Sequence, residues 1–326
     1  MIKASQKTVL LVNLGTPSES TPRAVREYLL EFLSDPRVVE LPAWLWKPLL
    51  YAVILPIRSK RSAKLYRSIW TEEGSPLAVY SKKLAEKIQE RLGASFNVVL
   101  SMRYGQPSIQ AGLKNLLQNN AMGSLTVLPL YPQYSAATTA SSFDVIANVF
   151  KQQRVLPSVY FISSYFDNVL YITALAKTIR QYWVAHGKDA YLLFSFHGLP
   201  KRSVDLGDPY EQQCYTTVDL LAKELNLLPD HYQLGFQSRF GKAEWLQPYC
   251  DLLLQQLPAK GIKQLAIICP GFAVDCLETL EEISKRYREI FLRAGGESFH
   301  YIPALNDSIE HSELLAGLIQ QTTVNR

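Results

Sequence analysis

Eight short apolar runs punctuate this chain, at 8–14, 96–102, 124–131, 158–163, 190–196, 232–237, 264–269 and 298–302. They are rich in Val, Leu, Ile, Phe and Tyr, without a clean alternation of apolar with polar. A strand with one face in water alternates, whereas a strand covered on both faces does not. The runs therefore read as strands of parallel sheets clothed by helices. The segments between them supply those helices. Residues 81–92 place Leu84, Ala85, Ile88 and Leu92 at helical spacing, and 169–186 do the same with Tyr171, Leu175, Ile179 and Tyr182. Residues 212–225, 243–257 and 277–293 behave likewise, the last with Leu277, Leu280, Ile283, Tyr287 and Ile290 on one stripe.

Repeated strand–helix units imply an α/β fold with doubly wound parallel sheets. Eight strands divide into two similar halves of four, with a cleft expected between them. Pro157 cannot continue a helix, so the boundary is expected there. That gives an N-terminal half over 1–156 and a C-terminal half over 157–305. A closing helix near 307–320 is expected to pack back on the first half, so 306–326 is grouped with it. In open α/β sheets ligands bind beyond the carboxyl ends of the strands, and the loops there are searched first.

Composition narrows the function classes. With 48% hydrophobic and 19% charged residues among 326, the chain is neither disordered nor low-complexity. The net charge of +5 is too weak by itself to argue for nucleic acid. No G-x-G-x-x-G follows any run, which leaves dinucleotide binding without support. Cys214, Cys250, Cys269 and Cys276 are separated by 36, 19 and 7 positions, a spacing of neither a zinc site nor a disulfide framework. They read as reduced thiols of a cytoplasmic protein. Lys3 and Lys7 precede only the short run Val9 to Val12, too little for a secretion signal.

Five segments carry candidate chemistry. Ser195-Phe196-His197-Gly198-Leu199-Pro200 puts a histidine at a strand's carboxyl end, as a base, a metal ligand or a turn residue bonded to backbone. His186 is expected to end a helix, and His231, His300 and His311 to lie in a loop, at a strand edge and on a helix surface. Pro270 to Glu282 comes directly after another strand. At 100° per residue Asp275, Glu278 and Glu282 share one sector of about 60°, suited to a labile divalent metal or to proton removal, or simply to a helix dipole and water. Cys276 falls on the apolar side. Trp44 to Ile57 is nearly uncharged, and Arg58, Lys60, Arg61, Lys64 and Arg67 come next. That suits a membrane interface, an amphiphilic ligand with carboxylate arms, or a buried helix beside a solvated basic face. Tyr131 to Ser142 is dense in hydroxyls, as a polar wall for a flat ligand or as a helix cap formed by Thr138 to Ser142. Trp245, near the start of the expected helix 243–257, stacks on a planar ligand or belongs to the core.

Taken in order, these motifs resemble ferrochelatase, and the resemblance runs the whole chain. Leu11-Val12-Asn13-Leu14-Gly15-Thr16-Pro17, Tyr131 to Ser142, Ser195 to Pro200 with Gly207-Asp208-Pro209-Tyr210, Gln237 to Trp245 and Pro270 to Glu282 carry it. It implies two chelatase-type Rossmann-like halves around a porphyrin cleft, and insertion of Fe2+ into protoporphyrin IX. His197 and Glu278 match the catalytic and metal-holding positions, and Asp275 and Glu282 a metal or proton path. Leu14, Arg58, Tyr66, Ser75, Tyr131 and Trp245 match porphyrin contacts, Ser75 across a two-residue difference in spacing from Tyr66. Trp44 to Ile57 matches the hydrophobic lip. Fe2+ is then a substrate, with no prosthetic group and, from the cysteine spacing and the lack of an extension past Arg326, no [2Fe-2S] cluster. Cys276 stands where animal members carry a second histidine. The implied partners are a porphyrin and the surface of a membrane, with no nucleic acid and an unassigned oligomeric state. A coproporphyrin or cobalt chelatase, and a non-catalytic tetrapyrrole-binding module, are the alternatives.

Overall fold

The computed structural model describes residues 7–118, 123–241 and 243–324; the stretch holding Lys3 lies outside them. The chain forms two units. In the first are β1 (Lys7–Gly15), α1 (Pro22–Leu33), α2 (Ala43–Leu49), α3 (Leu55–Ile69), α4 (Pro76–Leu92), β2 (Phe96–Tyr104), α5 (Ile109–Gln118), β3 (Ser124–Pro129), α6 (Ser141–Phe150) and β4 (Ser158–Phe161). In the second are α7 (Val169–His186), β5 (Tyr191–His197), α8 (Lys201–Asp205), α9 (Tyr210–Leu225), β6 (Tyr232–Gln237), α10 (Cys250–Gln256), β7 (Gln264–Ile268), α11 (Arg288–Arg293) and β8 (Ser298–Ile302). A last helix, α12 (Ile309–Val324), belongs to the first unit, whereas residues 131–134 belong to the second.

Each unit holds a four-stranded parallel sheet, in the orders β2-β1-β3-β4 and β6-β5-β7-β8. In both, the first strand lies second, with its two successors on opposite sides. The carboxyl ends of β1 and β5 are thus the switch points where such sheets take their ligands. Every residue of β3 is buried, as are Val9 to Val12 of β1, which explains why the runs do not alternate. In the first unit Leu10, Val12, Leu125 and Val127 pack against Leu113 and Ile146. In the second, Leu193, Leu265 and Ile267 pack against Leu254, Ile283 and Phe291.

Helix ends obey their residues. The Thr21 hydroxyl accepts the Ala24 N–H at 3.3 Å ahead of Pro22, and the Asn168 side chain accepts the Leu170 N–H at 2.9 Å. α9 stops at Asn226 in the left-handed conformation, φ 53°.

Three expectations change. Ser158–Phe161 pairs with β3, Val127 opposite Phe161, so the first unit runs on to Ser163, past 156. Helix α6 already ends at Phe150, well before Pro157, and the segment beyond that proline, β4, is an edge strand of the same sheet. The helix expected over 243–257 exists only from Cys250, because Pro248 lacks an N–H and disfavours helix at Gln247. His311, expected on a surface, is buried. The cause is the docking of α12 on α4, held by Lys87–Asp307 at 2.5 Å and Arg91 to Ser312 at 2.8 Å.

Candidate active site

β5 delivers His197 to the switch point of the second sheet, half-buried, directly after the buried Phe194, Ser195 and Phe196. Its Nδ1 lies 2.7 Å from the Gly198 carbonyl oxygen. A carbonyl only accepts, so Nδ1 carries the proton and the lone pair sits on Nε2. The histidine is thus a turn residue bonded to backbone, and that bond sets the tautomer that leaves the Nε2 lone pair as an acceptor. The Phe272 ring, 6.5 Å away by centroids, lies in the loop after β7.

The turn after His197 is laced to Trp245. The Gly198 N–H donates to the Gln237 carbonyl at 2.7 Å, Leu246 N–H to Leu199 at 2.9 Å and Lys201 N–H to Glu244 at 2.9 Å. A Cβ on Gly198 would stand 2.8 Å from the Gln237 oxygen and 3.1 Å from Trp245 Cε3. Only glycine admits that approach. Trp245 itself lies in a loop ahead of α10, half-buried, with its indole N–H on the Phe240 carbonyl at 2.8 Å.

Glu278 opens a ten-residue π-helical stretch, Glu278–Tyr287, rather than an α-helix. π-Helices mostly occur as single turns, often at functional sites, so a run of this length is exceptional. Glu282 and Arg286 succeed Glu278 at four-residue steps. The Glu282 carboxylate takes the Ser238 hydroxyl on one oxygen and pairs with Arg286 at 2.7 Å on the other. Ser238 reaches it from a left-handed conformation, φ 63°, just past β6.

Asp275 departs from the expected acidic row. It precedes the helix, is buried, and accepts from Thr279 Oγ1 at 2.9 Å, Tyr301 OH at 2.5 Å and Asn306 Nδ2 at 2.7 Å. Burial, then the Asp275 charge, pushes the Tyr301 hydroxyl well above its usual range, so it stays a donor. Cys276 is buried as expected, and its thiol is pushed well above 9.0 by burial and then by the Glu278 charge. The other three cysteines are also buried and unbridged.

In the first unit Leu14 is half-buried at the end of β1. The Ser75 hydroxyl, buried at the start of α4, accepts from Thr16 Oγ1 at 2.8 Å, which ties α4 to the loop after β1. Tyr66, in α3, is buried edge-on to Trp70, and Arg58 is half-buried near the start of the same helix. α2 runs through a π-helical turn at Leu50–Ile54 into α3. Leu50 and Leu55 are buried and the Trp46 indole donates to the Leu33 carbonyl at 2.6 Å. Leu41, Trp44, Leu45, Leu49, Tyr51 and Ile57 are exposed, Trp44 at 74%. The lip is therefore anchored on one face and apolar on the other. Tyr131 is buried just after β3, and the helical turn beyond it is capped by Ser135, accepting from Ala137 N–H at 3.2 Å, and not by Thr138 to Ser142.

The sequence model of the family described as Ferrochelatase matches residues 6–323. The chain belongs to the ferrochelatase family. It is 52% identical over 319 residues to Ferrochelatase 1 of Shewanella oneidensis, covering 97% of this chain and 95% of the relative. It is 51% identical over 317 residues to Ferrochelatase of Methylococcus capsulatus, covering 97% of each. Among solved structures, SirB from Bacillus subtilis with Fe3+ superposes with a TM-score of 0.56 at 10% identity, over 98% of this chain and 96% of SirB. DR2241 from Deinococcus radiodurans, a multi-domain protein with structural similarity to chelatases, gives 0.55 at 11% identity, over 97% of this chain and 54% of its own. At that identity the likeness is one of fold, and it agrees with the two four-stranded parallel sheets of this ferrochelatase-family chain.

Sequence reasoning did not single out Thr16, Ser238, Tyr301 or Asn306. Ser238 had a signal, a hydroxyl residue directly after a strand. The Tyr301 and Asn306 clamp on Asp275 spans 26 and 31 positions and has none.

Proposed function

We propose that this chain inserts Fe2+ into protoporphyrin IX, the step that completes haem, with His197 accepting pyrrole protons and Glu278 holding the metal. Membership of the ferrochelatase family makes it a metal-insertion enzyme, and the near-complete relatives of that name support protoporphyrin as the substrate. The observation that carries the residue assignment is the His197 tautomer. Its Nδ1–H is tied down, and Nε2 is left as an acceptor at the sheet's switch point.

The chemistry demands such a group. The free porphyrin gives up two N–H protons, Fe2+ takes the four ring nitrogens, and haem leaves with two protons released. A flat ring resists this, so contacts remote from the nitrogens are used to hold it distorted and expose the lone pairs. Leu14, Tyr66, Tyr131 and Trp245 supply ring contacts, Ser75 supports them through Thr16, and Arg58 pairs with a propionate. Glu282 extends the acidic row from Glu278. Asp275 acts instead on the backbone of that row, through Thr279. Fe2+ passes through as substrate, and no resident cofactor is assigned.

The exposed apolar lip beside exposed Lys60, Arg61, Lys64 and Arg67 supports peripheral contact with an anionic membrane, from which an apolar porphyrin is drawn. No described helix is long and apolar enough to cross a membrane. The lip favours protoporphyrin over the more carboxylated coproporphyrin.

Anaerobic addition of Fe2+ to protein with either porphyrin tests this through loss of porphyrin fluorescence. Protoporphyrin is expected to be consumed faster, and His197→Ala to abolish consumption while still binding porphyrin. No consumption with either porphyrin and any divalent metal overturns the chelatase reading.

A further inference from the structure

A second group of imidazoles lies apart from His197. His186 closes α7 and His300 sits mid-way along β8, with ring centroids 4.5 Å apart and planes tilted by 40°. Tyr182, one helical turn before His186, stacks on its ring at 4.9 Å and meets His300 at 5.6 Å. His300 is in register with Ala266, and Ala266 with Leu192. Leu192 precedes His197 by five residues on β5, so the pair lies about 16 Å back along the strands and two strand spacings aside.

We infer that His186 and His300 form a two-imidazole site for a divalent transition cation of the zinc, cobalt or nickel type. Metal–nitrogen bonds of about 2.0–2.1 Å to two adjacent imidazoles put their centroids about 4.5–5 Å apart, the spacing seen here. The Ser298 hydroxyl, 2.9 Å from His300 Nε2, orients that ring and leaves Nδ1 for the cation, the arrangement in which an outer partner fixes a ligating imidazole. Burial, then the neighbouring His186 and Arg288, lowers the His300 pKa and keeps the ring in its ligand form near neutral pH. His186 is exposed, which opens the site to solvent, and the carbonyl end of α7 favours positive charge. Arg288 is the opposing charge. Among the described residues no group of three or more His, Cys, Asp or Glu converges on one point, so the remaining positions fall to water. Two nitrogens and water suit imidazole-preferring cations over Mg2+ or Ca2+.

Calorimetric titration of the full chain with Zn2+, without porphyrin, tests the site. One binding event is expected to survive His197→Ala and to weaken at least tenfold in both His186→Ala and His300→Ala. Where His300→Ala does not fold, the exposed His186 variant decides. A folded His186→Ala variant whose isotherm superposes on the parent's overturns the inference. So does a zinc signal abolished by His197→Ala alone. Electron paramagnetic resonance of bound Cu2+ gives an independent readout, with two-nitrogen coordination expected in His197→Ala and lost on adding His186→Ala.

Discussion

Replacing Asp275 by Ala separates a structural acid from a chemical one. The carboxylate receives four hydrogen bonds, from Thr279, Tyr301, Asn306 and, at 3.5 Å, the Ala304 N–H, in a buried setting. Truncation leaves these donors without it, Thr279 retaining the Cys276 carbonyl at 3.3 Å, and each buried, unsatisfied group costs about 1–3 kcal/mol. Neighbouring losses are not additive, so the sum expected is about 3–5 kcal/mol, a large fraction of the roughly 5–15 kcal/mol by which domains are stable. At about 2–4 °C per kcal/mol for a domain of this size, melting of the second unit falls by roughly 6–20 °C. Calorimetry reads the melting, and the insertion rate is measured well below it, normalised to folded protein. Asp275→Asn keeps one acceptor oxygen and should lose less. A variant melting within about 2 °C of the parent but slowed more than 100-fold would refute the hub assignment and return Asp275 to the proton path.

Four further outcomes are expected. Gly198→Ala forces its new Cβ against the Gln237 carbonyl and the Trp245 ring, shifting His197; misplacement by about 1 Å costs on the order of 100-fold in rate, measured as kcat at saturating porphyrin. Glu278→Gln should lose insertion more severely than Glu282→Gln, whose carboxylate is already engaged by Ser238 and Arg286, as steady-state rates against Fe2+ concentration will show. Reversing Lys60 and Lys64 to Glu should weaken sedimentation with anionic vesicles, at about 1 kcal/mol per basic residue near the surface, and leave neutral vesicles unaffected. Burial acts to raise Asp35, but hydrogen bonds from Ser141, the Arg37 backbone and Tyr104, with the Arg103 charge, hold it below its usual 3.8. Its stabilisation is therefore full above about pH 4, the unfolded value, and lost as pH falls through the lower folded value. Urea midpoints from pH 5 to 3 should fall for the parent and flatten in Asp35→Asn.

The sheets were legible because a parallel strand buried on both faces must be apolar at consecutive positions, as in β3. His197 was legible because a histidine followed by glycine and proline ends a strand. What stayed hidden depends on distance or on helix type. Asp275, Glu278 and Glu282 fit one α-helical sector on paper, yet the helix begins after Asp275 and winds as a π-helix. The partners that capture Asp275 lie across a strand and a turn. Trp245 was misread because Pro248 interrupts a pattern that is otherwise helical. His311 looked superficial because nothing local marks the face that α12 turns to α4.

That same return of α12 sets an order of assembly. Leu314, Leu315 and Ile319 are fully buried, and Lys87 and Arg91 wait for partners more than two hundred residues downstream. On a ribosome, where domains fold as units while the chain emerges, the second unit has all its elements before the first has its covering helix. The half that begins the chain is thus the last to be finished, and until then α4 presents an apolar flank for chaperones to shield.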